Sequence, residues 1–285
     1  MTTPPPDGSR DRRIEDPSNL WIIHPAGRAL LPRALALGVS ANSVSIAGLF
    51  LGGAAAFAYA QWDRPAFAVV GLLLSVGWLI ADGLDGMIAR ATGTASALGR
   101  ALDGLCDHGV FALLYISLAL SIGTVEAWAL ALTAAAAHAV QSSLYEGERA
   151  RFHRRIRGVA LDAPPVPAGM ILVRIYDSVA GSLDRMAMPF ERRLARDPDP
   201  VAFGALYGAA AVPAMRLMSL LTANMRVFAI FVACLAGNPR IFWWVEIVPM
   251  TIIVIVGTIA HRRVERRMAG GLSYSINLSN EQGNT

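Results

Sequence analysis

The chain has 285 residues, 54% of them hydrophobic and 16% charged, with a mean hydropathy of +0.46. That composition excludes a soluble core and points to a protein that crosses a membrane several times. The net charge of +4 rests on 25 arginines and no lysine, and two cysteines, Cys106 and Cys234, exclude a disulfide framework or cysteine metal cluster.

Residues 1–19 are polar, with Pro4-Pro5-Pro6 and several charges, and are expected to be a disordered arm without a cleavable export signal. Trp21 to Leu37 mixes Trp21, Ile22, Leu30 and Leu35 with Arg28 and Arg33. It is short for a span and predicts an N-terminal amphipathic helix on the membrane surface. Ser40-Ala41-Asn42-Ser43 can cap the next helix. The first span is expected over Val44 to Ala60, and the second starts near Ala66.

The second span runs into Asp82–Asp107, reading DGLDGMIARATGTASALGRALDGLCD. Asp82 and Asp85 are three apart, with Gly86, Ala89 and Arg90 continuing one helical face; Gly99, Asp103 and Asp107 share another. The linker Ala91–Ser96 holds Thr92, Gly93, Thr94 and Ser96, which predicts a hairpin between antiparallel helices. Each helix would then bring two acids to one site, with glycines leaving room for a ligand. An unpaired charge in such apolar surroundings costs roughly 2.5–3.5 kcal/mol or more. A bound cation offsets that, and oxygen-only ligands favour Mg²⁺ or Mn²⁺.

The third span ends near Ile122, and a fourth is expected over Ala127 to Tyr145. A polar insertion, 146–200, opens with Arg149, Arg151, Arg154, Arg155 and Arg157; within it Ala168 to Leu194 reads as a surface helix. The fifth span falls within Ala202–Leu235, its membrane part starting near Pro213, and the sixth covers Ile241 to Ala260. The fold class is therefore all-α: about six transmembrane helices in one membrane domain, 20–267, followed by a polar tail, 268–285. Arginine placement puts both termini, the insertion and the acid hairpin on the cytoplasmic side of an inner membrane. Topology accounts for the basic loops, so a nucleic-acid partner is not expected.

Asp82-x2-Asp85-Gly86-x2-Ala89-Arg90-x8-Gly99-x3-Asp103-x3-Asp107 resembles the signature of the CDP-alcohol phosphotransferases (CDP-alcohol phosphatidyltransferases), with every defining position filled. The resemblance implies that Asp82, Asp85, Asp103 and Asp107 together hold two divalent ions and that Asp107 is also the general base. It implies Arg90 on phosphate oxygens, and Gly86 and Gly99 as points of close ligand approach; structural neutralisation of the acids by Arg90 and simple helix packing at the glycines are the competing accounts. Where the family has a Pro-Asn-x-Val-Thr-like element this chain has Ala41-Asn42-Ser43-Val44-Ser45, making Asn42 and Ser45 candidate nucleotide contacts or mere caps. The implied reaction moves a phosphatidyl group from CDP-diacylglycerol to a small polar alcohol and releases CMP, in phospholipid biosynthesis. Members of the family are commonly dimeric, so a homodimer is compatible.

Arg216, Ser219, Thr222 and Arg226 fall on one helical stripe and would suit an anionic acceptor; snorkelling of Arg216 and pairing of Arg226 with a motif acid are the alternative. His108, and His138 with Gln141 and Ser142 on the fourth span, are pocket candidates, with hydrogen-bonded packing the commoner role for a lone His on an apolar helix. Two rivals stand beside this reading: phosphoalcohol transfer from a CDP-alcohol to a lipid hydroxyl, and, from another class, an ion-coupled transporter, which the clustering of all four acids in one hairpin disfavours.

Overall fold

The computed structural model describes residues 11–161 and 185–270. Its contacts divide the chain into two units, Met1–Ser142 with Ser219–Ile253, and Ser143–Met218 with Val254–Thr285. Among the described residues every regular element is helical. Five helices are long and apolar enough to cross a membrane: Ala41–Tyr59, Pro65–Ala91, Leu102–Ile122, Pro200–Leu221 and Arg240–Ala269. The chain is an all-α polytopic membrane protein. The expected fourth span lies within α5 (Val125–Arg155), long enough at 31 residues but less apolar than those five.

The first unit corrects the expectation of a disordered arm. Residues 1–10 lie outside the described residues, but 11–19 are ordered against α8 (Ala223–Leu235). The Thr222 hydroxyl donates to Asp16 at 2.9 Å, and Asn224 donates to Ser18 at 2.6 Å and Asn19 at 2.7 Å. Composition misses this because the partner of Asp16 lies 206 residues away. A π turn, Asn19–Ile23, then leads into α1 (His24–Ala36). This helix buries Gly27 and Ala34 and exposes Leu30, with Trp21 and Leu37 exposed at its ends, the amphipathic pattern expected.

Ser40 caps α2 (Ala41–Tyr59), its Oγ accepting from the Ser43 N–H at 3.1 Å. α2 packs on both α3 (Pro65–Ala91) and α4 (Ala97–Ile122). The approach is close: a Cβ on Gly52 would enter the Val110 side chain, and one on Gly71 would lie 2.7 Å from the Tyr59 ring. Between α3 and α4 the chain turns over Thr92–Ser96, with Gly93 at φ +66° and the Ser96 Oγ accepting from the Gly99 N–H at 3.0 Å. These are the turn and cap that build the expected hairpin. Trp78, Phe111, Leu114, Trp243 and the α5 alanines Ala127, Ala131 and Ala134 fill the core.

The expected fifth span is also corrected. Hydropathy runs evenly through Ala202–Leu235, but α7 (Pro200–Met218) contains Pro213 in its interior, and a 3-10 turn, Ser219–Leu221, and an extended Thr222 separate it from α8. Arg226 stabilises the break by donating to the Leu221 carbonyl. After α9 (Arg240–Val245) and a π turn, Glu246–Met250, α10 (Thr251–Ala269) runs past the expected end at Ala260. It continues because His261, Arg262 and Glu265 are buried inside the second unit rather than free in a flank.

That unit is organised by ion pairs. Within the insertion 162–184 lies outside the described residues, whereas 185–195 forms α6, burying Ala187, Phe190, Glu191 and Leu194. Glu191 accepts from Arg154 at 2.6 and 2.8 Å, from Arg155 at 2.8 Å and from the Leu161 N–H at 2.8 Å. Arg155 also pairs with Glu265, and its guanidinium lies 4.8 Å from the centre of the Phe190 ring. Glu148 completes the set with His261 at 2.6 Å and with Arg262.

Burial would push the Glu191 carboxyl up, but the Arg154 hydrogen bonds and the Arg155 charge outweigh it and hold the group down at about 2. Glu191→Gln leaves two arginines without their buried acid and is expected to cost about 3–5 kcal/mol at neutral pH. The measurement is the thermal midpoint of the detergent-solubilised protein. Because the folded value is depressed, the contribution is complete above the ordinary value of 4.5 and is lost as pH falls through about 2, where the variant's deficit should vanish.

Candidate active site

The α3–α4 hairpin brings the motif acids together. Carboxylate oxygens of Asp82, Asp85 and Asp103 all lie within 4.8 Å of one another, and Asp85 is 4% exposed. Asp107, one turn further along α4, is within side-chain reach of Asp82 and accepts from the Trp78 indole N–H at 3.1 Å. The charges that bear on Asp85 and Asp107 are other carboxylates: Asp103 and Asp82 on the first, Asp103 and Asp85 on the second. Oxygen donors converged this way, facing like charge in apolar surroundings, fit a hard divalent cation.

A cavity of about 610 Å³ opens over Asp82, Asp85 and Asp103, with walls from Asn42, Ser45, Gly86, Arg90, Ser96 and Gly99. Asp107 is not part of that wall; it sits against Trp78. Ser45, a candidate nucleotide contact, donates to Asp85 Oδ2 at 2.5 Å, so it fixes the orientation of an acid. A Cβ on Gly86 would stand 3.3 Å from Arg90 Nη1, and one on Gly99 would stand 3.2 Å from the Ser96 hydroxyl and 3.6 Å from Asn42 Oδ1. At both glycines the crowded neighbours are groups of the pocket wall, not a packed helix backbone.

The acceptor stripe does not survive. The break at Ser219–Thr222 takes Arg216, Ser219, Thr222 and Arg226 off a common helix face. Arg216 ends α7 in the second unit, and Thr222 is bonded to Asp16. Arg226 is 1% exposed and held by Glu246 at 2.9 Å, Gln141 at 3.0 Å and the Leu221 carbonyl. Gln141 also donates to the Glu246 carbonyl at 2.8 Å. His138 packs on Phe111 at 4.3 Å between ring centres, with Nδ1 3.2 Å from the Tyr115 hydroxyl.

Sequence reasoning overlooked Trp78. Its signal was present: it lies one turn before Asp82 on the face that carries Asp82 and Asp85. A second acid-rich group, Glu148, His261 and Glu265, also converges within 4.8 Å, but Arg262 pairs with both of its acids and Arg155 with Glu265. Two arginines already neutralise it, so a dication has no charge to balance there.

Residues 38–180 match the family model of CDP-alcohol phosphatidyltransferases, a segment that contains Asn42, Ser45 and the whole acid hairpin. The chain belongs to that family and is a transferase of substituted phosphate groups; the transporter reading falls with this match. No curated protein and no solved structure gives a significant match.

If Arg226 is a structural partner of Glu246, Arg226→Met should cost about 3–5 kcal/mol by stranding a buried carboxylate, and adding Glu246→Leu should recover most of it. Thermal unfolding of the single and double variants in detergent reads the difference.

Proposed function

We propose that this transferase moves a phosphatidyl group from CDP-diacylglycerol to a small polar alcohol, releasing CMP, in phospholipid biosynthesis. The observation that carries the reading is the convergence of Asp82, Asp85 and Asp103 on the wall of a cavity that Arg90 and Gly86 also line. Arg90 supplies a guanidinium for phosphate oxygens, and Gly86 keeps the space beside that guanidinium clear. Asn42 and Gly99, which line the same cavity, take the nucleotide end, and Ser45 holds Asp85 in place.

Asp82, Asp85, Asp103 and Asp107 would hold Mg²⁺ or Mn²⁺, two ions by the family pattern, which when bound supply positive charge to the donor diphosphate. The acceptor oxygen attacks the phosphatidyl phosphorus, the bond from that phosphorus to CMP breaks, and CMP leaves with the bonding electrons. Asp107 takes the hydroxyl proton. Arginine distribution supports a site facing the cytoplasm at an inner membrane, where CMP and a polar alcohol exchange freely.

The test is CMP release by purified protein from CDP-diacylglycerol with glycerol phosphate, inositol, inositol phosphate, serine or choline as acceptor. Release is expected with one acceptor, is lost on chelation and returns with Mg²⁺ or Mn²⁺. Asp107→Asn should lower it about 10²–10⁴-fold, and Asp103→Asn should raise the metal concentration needed for half activation. Release from CDP-choline and diacylglycerol instead would reverse the direction of transfer. Full activity in Asp107→Asn would remove the base assignment.

A further inference from the structure

Trp78 is buried to 2% exposure beneath the acids, and its indole N–H meets Asp107 Oδ1 at 3.1 Å. Its ring is fixed on two sides. It stands edge-on to Phe111, with centres 5.4 Å apart at 79°, and a Cβ on Gly48 of α2 would already lie 3.4 Å from Trp78 Cδ1. Phe111 lies one turn beyond Asp107 on α4, and Trp78 one turn before Asp82 on α3. The indole therefore bridges the two helices of the hairpin directly behind the acids.

Asp82, Asp85 and Asp103 form a tight group, and Asp107 meets it through Asp82. An indole N–H donates and cannot accept, and it does not ionise, so it holds one carboxylate oxygen without competing for a proton. We propose that Trp78 is a positioning residue for transfer: by holding Oδ1 of Asp107 it fixes the orientation of the fourth carboxylate and leaves its other oxygen for the acceptor hydroxyl. The proposal rests on Asp107 as the base. Groups that orient an acting side chain from behind are commonly worth 10–100-fold.

The experiment uses the full chain in detergent with CDP-diacylglycerol and whichever of the five acceptors supports CMP release. Trp78→Phe keeps an aromatic ring and removes the N–H; Trp78→His restores a ring N–H. The expected result for Trp78→Phe is a fall in kcat of about 10–100-fold. KM for CDP-diacylglycerol, the metal concentration for half activation and the thermal midpoint should each stay within about twofold of the unsubstituted protein, and Trp78→His should recover part of kcat. Combined with Asp107→Asn, Trp78→Phe should add nothing, because it acts through that carboxylate.

An unchanged kcat in Trp78→Phe overturns the proposal, as does a loss spread equally over kcat, KM and thermal midpoint, which marks a packing role. An additive loss in the double variant places any effect of Trp78 elsewhere than on Asp107 and overturns it too. Retained activity in Asp107→Asn alone removes the underlying base assignment whatever Trp78 does. Absence of CMP release by the unsubstituted protein sinks the proposal together with the reading beneath it.

Discussion

Four carboxylates held in one apolar hairpin repel one another, and the first unit is arranged to keep them there. The repulsion is large because the low dielectric that makes a helix pair stable in a membrane also strengthens the interaction of like charges. Close packing supplies the opposing constraint. α2 lies on both arms of the hairpin through Gly48, where an added Cβ would already touch Trp78, and Gly52, where it would collide with Val110. The acids cannot relax apart without opening those contacts, so they stay converged in an arrangement that fits a hard cation.

The second unit handles buried charge in the opposite way. Glu148, Glu191 and Glu265 each face arginine, and Arg155 lies against Phe190 and Tyr207 as well. Such a network is compensated from within and needs no ligand. The contrast separates two groups that look alike as clusters of acids. What distinguishes them is the sign of the neighbouring charge: acids around Asp85, guanidinium groups around Glu265. The Arg226–Glu246 pair in the first unit follows the second pattern, and so it belongs with the scaffold.

The hairpin was legible from sequence because everything that defines it is local. Spacings of three and four residues set the acid faces, and Gly93 and Ser96 set the turn and the cap. The ordered 11–19 segment, the break between α7 and α8 and the inward turn of Arg262 were not legible, because each depends on a distant partner. Asp16 meets Thr222 across 206 residues, Arg155 meets Glu265 across 110, and Arg226 reaches back to a carbonyl that a continuous helix would have used itself. Hydropathy averages over such residues. It reads Arg262 as a topology signal and Trp78 as one more apolar side chain in a span.

The position of the acids along α3 also limits what can reach them. Arg90, Thr92, Thr94 and Ser96 stand exposed on the cavity wall, whereas Asp85 is 4% and Ile88 1% exposed in the same lining. Exposure therefore falls from Arg90 to Asp85 within about one and a half helical turns. The exposed end of that lining suits the charged head of the proposed lipid-linked diphosphate. On the proposed reaction, burial at Asp85 would also favour transfer over hydrolysis, since water competes with an alcohol wherever the reacting phosphorus is wet. Trp78 and Phe111, packed edge-on behind Asp107, add no charge that would compete for the acids.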